Sequence, residues 1–263
     1  MKTHIFRLGV LAVVLFCFNT APASADWGGI DLLETIEVGS WQVREVTSTD
    51  HKGKKTVSIM KSKCVGEEVR GGERCYWLET ETQAFKIKKN GERKADGERS
   101  VVKVLVTESA LRSDPANAIN NLSGFGKEII IQTGDAQPMR MNEGGLFAQT
   151  MMQGLGVEVK YDFQPAGTEK VTVPGGSFQA TKIKGSGSVN TKIMMKRIVV
   201  ENRSTLWLSK KVPFGTIRTV TEGTMNGKPT RSEDVLLEYG TSGAQTLITQ
   251  EPLSMPGGFS VNP

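Results

Sequence analysis

The chain has 263 residues, 23% of them charged, and a formal net charge of +5. Its lysines and arginines are scattered along the sequence, which argues against a nucleic-acid footprint. The length is sufficient to bury a substantial core, either as one large β domain or as two closely joined halves, and no linker-like break forces the second.

Lys2 and Arg7 precede an apolar run from Leu8 to Phe18, followed by Ala23-Ser24-Ala25. This pattern predicts a secretory signal peptide over residues 1–25, cleaved before Asp26, and hence a periplasmic protein of the cell envelope. The run is shorter than the roughly 20 residues a bilayer span needs, so no integral membrane span is expected in the mature chain. Lipid attachment at Cys17 is disfavoured by the bulky Phe16 before it. Removing the peptide lowers the formal charge to +3 and leaves Cys64 and Cys75 as the two cysteines. In an oxidising compartment they read as a disulfide. Geometry sets a condition on that reading: a two-residue turn at Gly71-Gly72 would put Cys75 opposite Glu68, so the bond needs a wider loop over about 66–73.

From Trp41 onward the pattern is that of strands: 41–49, 56–64, 75–83 and 100–108, with turn signals at His51-Lys52-Gly53 and Asn90-Gly91. The basic stretch 86–94 surrounds Asn90-Gly91 and reads as a solvated hairpin tip. Residues 111–156 interrupt the strands. "SDPANAINNL" offers a helix start at Ser113 or Asp114, "GKEIIIQT" reads as a strand, and "NEGGLFAQTMMQGLG" places Phe147, Met151 and Leu155 on one helical stripe beside Ala148 and Met152. The cleanest alternation is "VEVKYDFQ", with Val157, Val159, Tyr161 and Phe163 on one face. Further strands follow to residue 241, and the Gly-, Ser- and Pro-rich tail 242–263 is expected to be loose. The whole reads as mainly β with minor α: a single domain over 26–241, an antiparallel meander carrying a helical insert.

"VTVPGGSFQATKIKG" at 171–185 poses a choice between gripping an anion and turning the chain. A phosphate-cradling loop opens a helix, whereas here strand follows strand, so Pro174-Gly175-Gly176 is a turn. Together with "LWLSKKVPFGTIRTVTEG", this stretch resembles a signature of bacterial exported proteins of unknown function related to the LolA/LolB-like lipoprotein-localisation carriers. The matching positions are Val173, Pro174, Gly176, Phe178, Trp207, Ser209, Pro213 and Gly215. The resemblance covers about 157–225 and implies an incomplete antiparallel β-barrel, or curved sheet, with a helical lid across its concave side.

Candidate chemistry is sparse. His51 sits in a polar turn, an unsuitable base for a triad or metal site, and the cysteines are spaced poorly for zinc. Glu67-Glu68, Glu79-Glu81 and Glu233-Asp234 are conceivable acid–base pairs, but Glu79 and Glu81 read as a wet sheet face opposite Tyr76 and Leu78. Ser209 lacks a nucleophile elbow. The sequence therefore predicts no catalytic residues, no metal and no cofactor: a non-enzyme. The flexible, polarizable methionines Met139, Met141, Met151 and Met152 suit an adaptable apolar surface as well as a core. With the implied lid, the reading is a binding protein for a hydrophobic ligand: lipid, acyl chain or lipidated peptide. Its expected lining is Phe147, Met151, Met152, Leu155, Tyr161, Phe163 and Trp207. The alternative is an assembly module that meets an envelope protein partner without a small ligand.

Overall fold

The computed structural model describes residues 33–88, 90–112, 126–141, 158–193 and 196–254. Among these residues thirteen strands form one sheet. In chain order they are β1 (Trp41–Thr49), β2 (Lys55–Arg70), β3 (Glu73–Ile87), β4 (Arg93–Ala95), β5 (Ser100–Thr107), β6 (Gly126–Thr133) and β7 (Met139–Met141). They continue as β8 (Glu158–Val173), β9 (Gly176–Ile193), β10 (Lys196–Leu208), β11 (Thr216–Met225), β12 (Lys228–Gly240) and β13 (Leu253–Ser254). The only α-helix among the described residues is α1 (Glu108–Arg112). The predicted signal peptide and the segment 142–157 lie outside the described residues.

The sheet runs β13-β7-β6-β5-β3-β2-β1-β12-β11-β10-β9-β8, with β4 off β3, and among the described residues its two end strands do not pair with each other. It is a curved, open sheet and not a closed barrel. Every pairing but β13 with β7 is antiparallel, as short turns between neighbours require. The junction of the two strand sets is β1 against β12, the first strand closing on the last long one. Turn chemistry sets the registers. Pro174 and Gly175 turn β8 into β9, and Asn226-Gly227, both at positive φ, turn β11 into β12.

Side chains alternate between two faces, here called front and back. The register puts Gln42, Arg44, Val46, Met60, Cys64, Tyr76 and Leu78 on the front of one half, and Ile183, Leu206 and Thr219 on the front of the other. The front of the first half is covered by a 3-10 turn at Leu33–Thr35 and by Phe214, which pack with Ile36, Cys64 and Tyr76. Phe214 adopts φ 63°, a strained setting for an aromatic residue that its burial in this cluster sustains.

On the back, the tail departs from expectation. It crosses the sheet as a strap and adds β13 alongside β7. Leu247 and Ile248 cluster with Trp77, Val101 and Ile130, burying apolar surface that the sheet cannot cover with its own strands. Nothing in the Gly- and Ser-rich composition signals this. It depends on two apolar residues finding a distant face.

The disulfide predicted between Cys64 and Cys75 is not formed; both are free and buried. Gly71 and Gly72 both take positive φ and make the tight turn that pairs Arg70 with Glu73, so the wider loop the bond required does not exist. A bulge at Val65 then pairs Cys64 with Leu78 while Cys75 pairs with Glu68. The two thiols consequently lie on opposite faces of the sheet. Burial pushes the Cys64 thiol up to about 11. Neither cysteine should react with an alkylating reagent at pH 8 in the native mature protein, and both should react once it is unfolded. A thiol count before and after denaturant checks this, and reductant should leave the melting temperature unchanged. Because the folded thiol holds its proton more tightly than the unfolded one, Cys64 favours folding below pH 9 and this contribution disappears as pH rises towards 11.

Candidate functional site

The front of the second half carries an aromatic step. Tyr161 and Phe163, two residues apart on β8, stack with ring centroids 5.7 Å apart and planes 12° from parallel. They lie flat because the opposing β9 positions are Gly187 and Gly185. A Cβ at Gly185 would stand 2.7 Å from the Phe163 ring, and one at Gly187 would collide with the Tyr161 ring and the Lys160 carbonyl. Buried Ile183, Val189 and Leu206 continue this surface. Asn202 Nδ2 donates to the Tyr161 hydroxyl at 2.7 Å, and burial raises the phenol above its usual range, with that bond opposing.

A second, polar patch lies on the same face across β1, β11 and β12. Arg44 is 1% exposed and donates through Nη1 to Asp234 Oδ2 at 2.7 Å. Burial raises the Asp234 carboxyl and Arg44 opposes the shift. Gln42, fully buried, is two residues from Arg44 on the same strand face, and Thr219 is directly opposite Asp234. In this patch the buried atoms with no hydrogen-bond partner are Arg44 Nε and Nη2, Gln42 Nε2 and Oε1, Asp234 Oδ1 and Thr219 Oγ1. Unsatisfied buried polar groups cost about 1–3 kcal/mol each, so a cluster on this scale is unusual for a purely structural surface.

These placements divide the predicted lining. Tyr161 and Phe163 come together on the front. Trp207 does not join them: it is on the back, where its indole N–H donates to Glu169 and the cations of Lys182 and Arg218 lie 5.5 and 5.1 Å from a ring centroid. The reason is register, since Trp207 pairs with Lys182 and Arg218 while its neighbour Leu206 faces forward. Phe147, Met151, Met152 and Leu155 lie outside the described residues.

Two of the carboxylate pairs, Glu67-Glu68 and Glu233-Asp234, separate too, because adjacent strand residues point to opposite faces, whereas Glu79 and Glu81, two residues apart, share one. Glu67 binds Arg74 and Glu68 binds Arg70; Glu233 binds Arg218 while Asp234 turns inward to Arg44. Glu79 corrects the expectation of a wet face. It is 1% exposed, paired with Lys63 at 2.9 Å, and accepts from Thr246 Oγ1 and the Leu247 N–H of the strap. His51 is exposed in its turn. Among the described residues, no three His, Cys, Asp or Glu side chains gather closely enough to hold a metal ion. A small opening of about 250 Å³ lies between strap and sheet, lined by Trp77, Lys103, Ile130, Arg140 and Ile248. Lys103 stands 4.9 Å from the Trp77 ring, its ammonium lowered by burial.

Arg44 and Gln42 escaped sequence reasoning because "WQVREVTST" offers Trp41 and Val43 as the more apolar face. The signal that was present is Val46, which shares the parity of Gln42 and Arg44.

No family model and no curated protein matches the chain. Two solved structures are among those the chain is similar to. An exported protein with a YmcC-like fold from Bacteroides fragilis shares 14% identity at a TM-score of 0.36, over 78% of this chain and 97% of that one. A lipoprotein from Parabacteroides distasonis shares 17% identity at 0.33, over 78% and 96%. No helix among the described residues is long and apolar enough to cross a membrane.

Proposed function

We propose that this is an exported envelope protein, kin to the lipoprotein-localisation carriers, that binds a hydrophobic ligand on the front of its open sheet without catalysing a reaction. The observation that carries the reading is the Tyr161–Phe163 step laid on Gly187 and Gly185, a smooth aromatic surface flanked by Ile183, Val189 and Leu206. The sheet is open and not closed into a barrel, and an apolar face of this kind supports binding of a lipid or acyl chain. Binding would be driven by apolar burial at about 25 cal/mol per Å².

The test is native mass spectrometry of protein purified from the envelope, with fluorescence of N-phenyl-1-naphthylamine as the probe. Lipid should co-purify and the probe should brighten. Gly187→Val, which forces the Tyr161 ring off its floor, should weaken probe affinity about tenfold, a loss of about 1.4 kcal/mol. Trp207→Phe, on the other face, should leave it unchanged. Absence of both lipid and probe fluorescence would reject the reading.

One observation favours the alternative of an assembly module: among the described residues the 16-residue β8 is the last strand in the sheet order. A stoichiometric protein recovered with the chain, and no lipid, would support it.

A further inference from the structure

The polar patch at Arg44 is not explained by apolar binding. Its guanidinium has two hydrogen-bonding edges, and Asp234 occupies Nη1 only. The atoms without partners are Nε and Nη2, the side-on pair whose parallel N–H bonds match the two oxygens of a carboxylate or phosphate. Gln42 Nε2, another buried donor without a partner, lies one strand repeat away on the same face, and the Thr219 hydroxyl is opposite Asp234. Each of these side chains is more than nine-tenths buried, and each belongs to a regular strand that holds it in place.

We infer that the Nε/Nη2 edge of Arg44, with the Gln42 amide, receives the oxyanion of an amphiphile whose apolar chain runs along the front face to Tyr161 and Phe163. The inference rests on the hydrophobic-ligand reading and adds the chemical class of the ligand: a lipid ending in a carboxylate or phosphate. The spacing fits such a molecule. From β1 to β8 along the sheet is five strand intervals, roughly 24 Å before curvature shortens it, which is the reach of a long extended acyl chain. Between the two ends, Leu206 and Ile183 are paired neighbours in the row that leads from Thr219, so the intervening floor is apolar. Burial raises the Asp234 carboxyl beside Arg44. The front-face neighbours of that carboxyl are Val46 and Arg44 from β1 and Thr219 from β11, and Arg44 is the charged one among them.

The experiment measures displacement of N-phenyl-1-naphthylamine from the full mature chain by hexadecyl phosphate, hexadecanoate and the neutral hexadecanol, and titrates inorganic phosphate by calorimetry. The two anions should compete at least about tenfold better than hexadecanol. In the double variant Arg44→Met/Asp234→Leu, which removes both charges and leaves no buried ion unpaired, that preference should fall to about one while hexadecanol competes as before. Gln42→Leu, which leaves the ion pair untouched, should reduce the preference several-fold and serves if the double variant does not fold. Equal competition by anions and alcohol in the native chain would overturn the inference and leave the apolar reading standing. Binding of inorganic phosphate as tight as hexadecyl phosphate would overturn the amphiphile and mark a site for the free oxyanion. Failure of the probe and of all three chains would overturn both readings.

Discussion

Replacing Arg44 by methionine alone is expected to lower unfolding stability by about 3–5 kcal/mol, and so is replacing Asp234 alone by leucine. Each change strands the other ion in a place with almost no solvent, since the two side chains are 1% and 9% exposed. The Asp234 carboxyl has partial relief, because burial already raises it and protonation can neutralise it; the guanidinium has none. Arg44 is therefore the charge that cannot be left behind, and Asp234→Leu should be at least as damaging as Arg44→Met. The double variant should recover most of the loss, because two apolar side chains of similar bulk pack where two desolvated ions did. Urea unfolding of the four proteins gives the coupling directly. Additive losses would show that the two residues do not act as a pair.

Glu79→Gln is expected to cost on the same scale, about 3–5 kcal/mol, for a related reason on the opposite face. Lys63 is 4% exposed and has Glu79 as its counter-charge, with the Gln245 carbonyl as its other acceptor. The same carboxylate holds the strap through the Thr246 hydroxyl and the Leu247 N–H. The amide therefore leaves a buried ammonium uncompensated and weakens the strap together. Hydrogen exchange at Leu247 and limited proteolysis across 241–250 should both accelerate. Deleting residues 244–263 should uncover Trp77, Val101 and Ile130, and should add little to Glu79→Gln if the carboxylate acts by anchoring the strap.

The ion pairs also account for what the two faces have in common. The ion pairs of Arg44 with Asp234 and of Lys63 with Glu79 each join two strands and fix which residues point inward. A one-residue slip of β1 would send Arg44 to the back and Trp41 and Val43 forward, losing the pair and the burial of Val46 together. The double variant tests this fixing of register independently of any ligand.

Local pattern alone determined the strand character of most of this chain, since alternation and β-propensity act within a few residues. The same is true of the turns at Gly71-Gly72, Pro174-Gly175 and Asn226-Gly227, because glycine's access to positive φ and proline's fixed φ are properties of the residue itself. Even the obstacle to the Cys64–Cys75 bond was legible as the consequence of a tight glycine turn. Tertiary structure decided the rest. A bulge at Val65 set which face each thiol takes, cross-strand register separated Trp207 from Tyr161 and Phe163, and partners 190 and 16 residues away turned Arg44 and Glu79 inward. The physical reason is that a strand residue's surroundings come from neighbouring strands and from whatever crosses them. Periodicity fixes that a side chain faces one way or the other, and only the completed sheet fixes which way is buried.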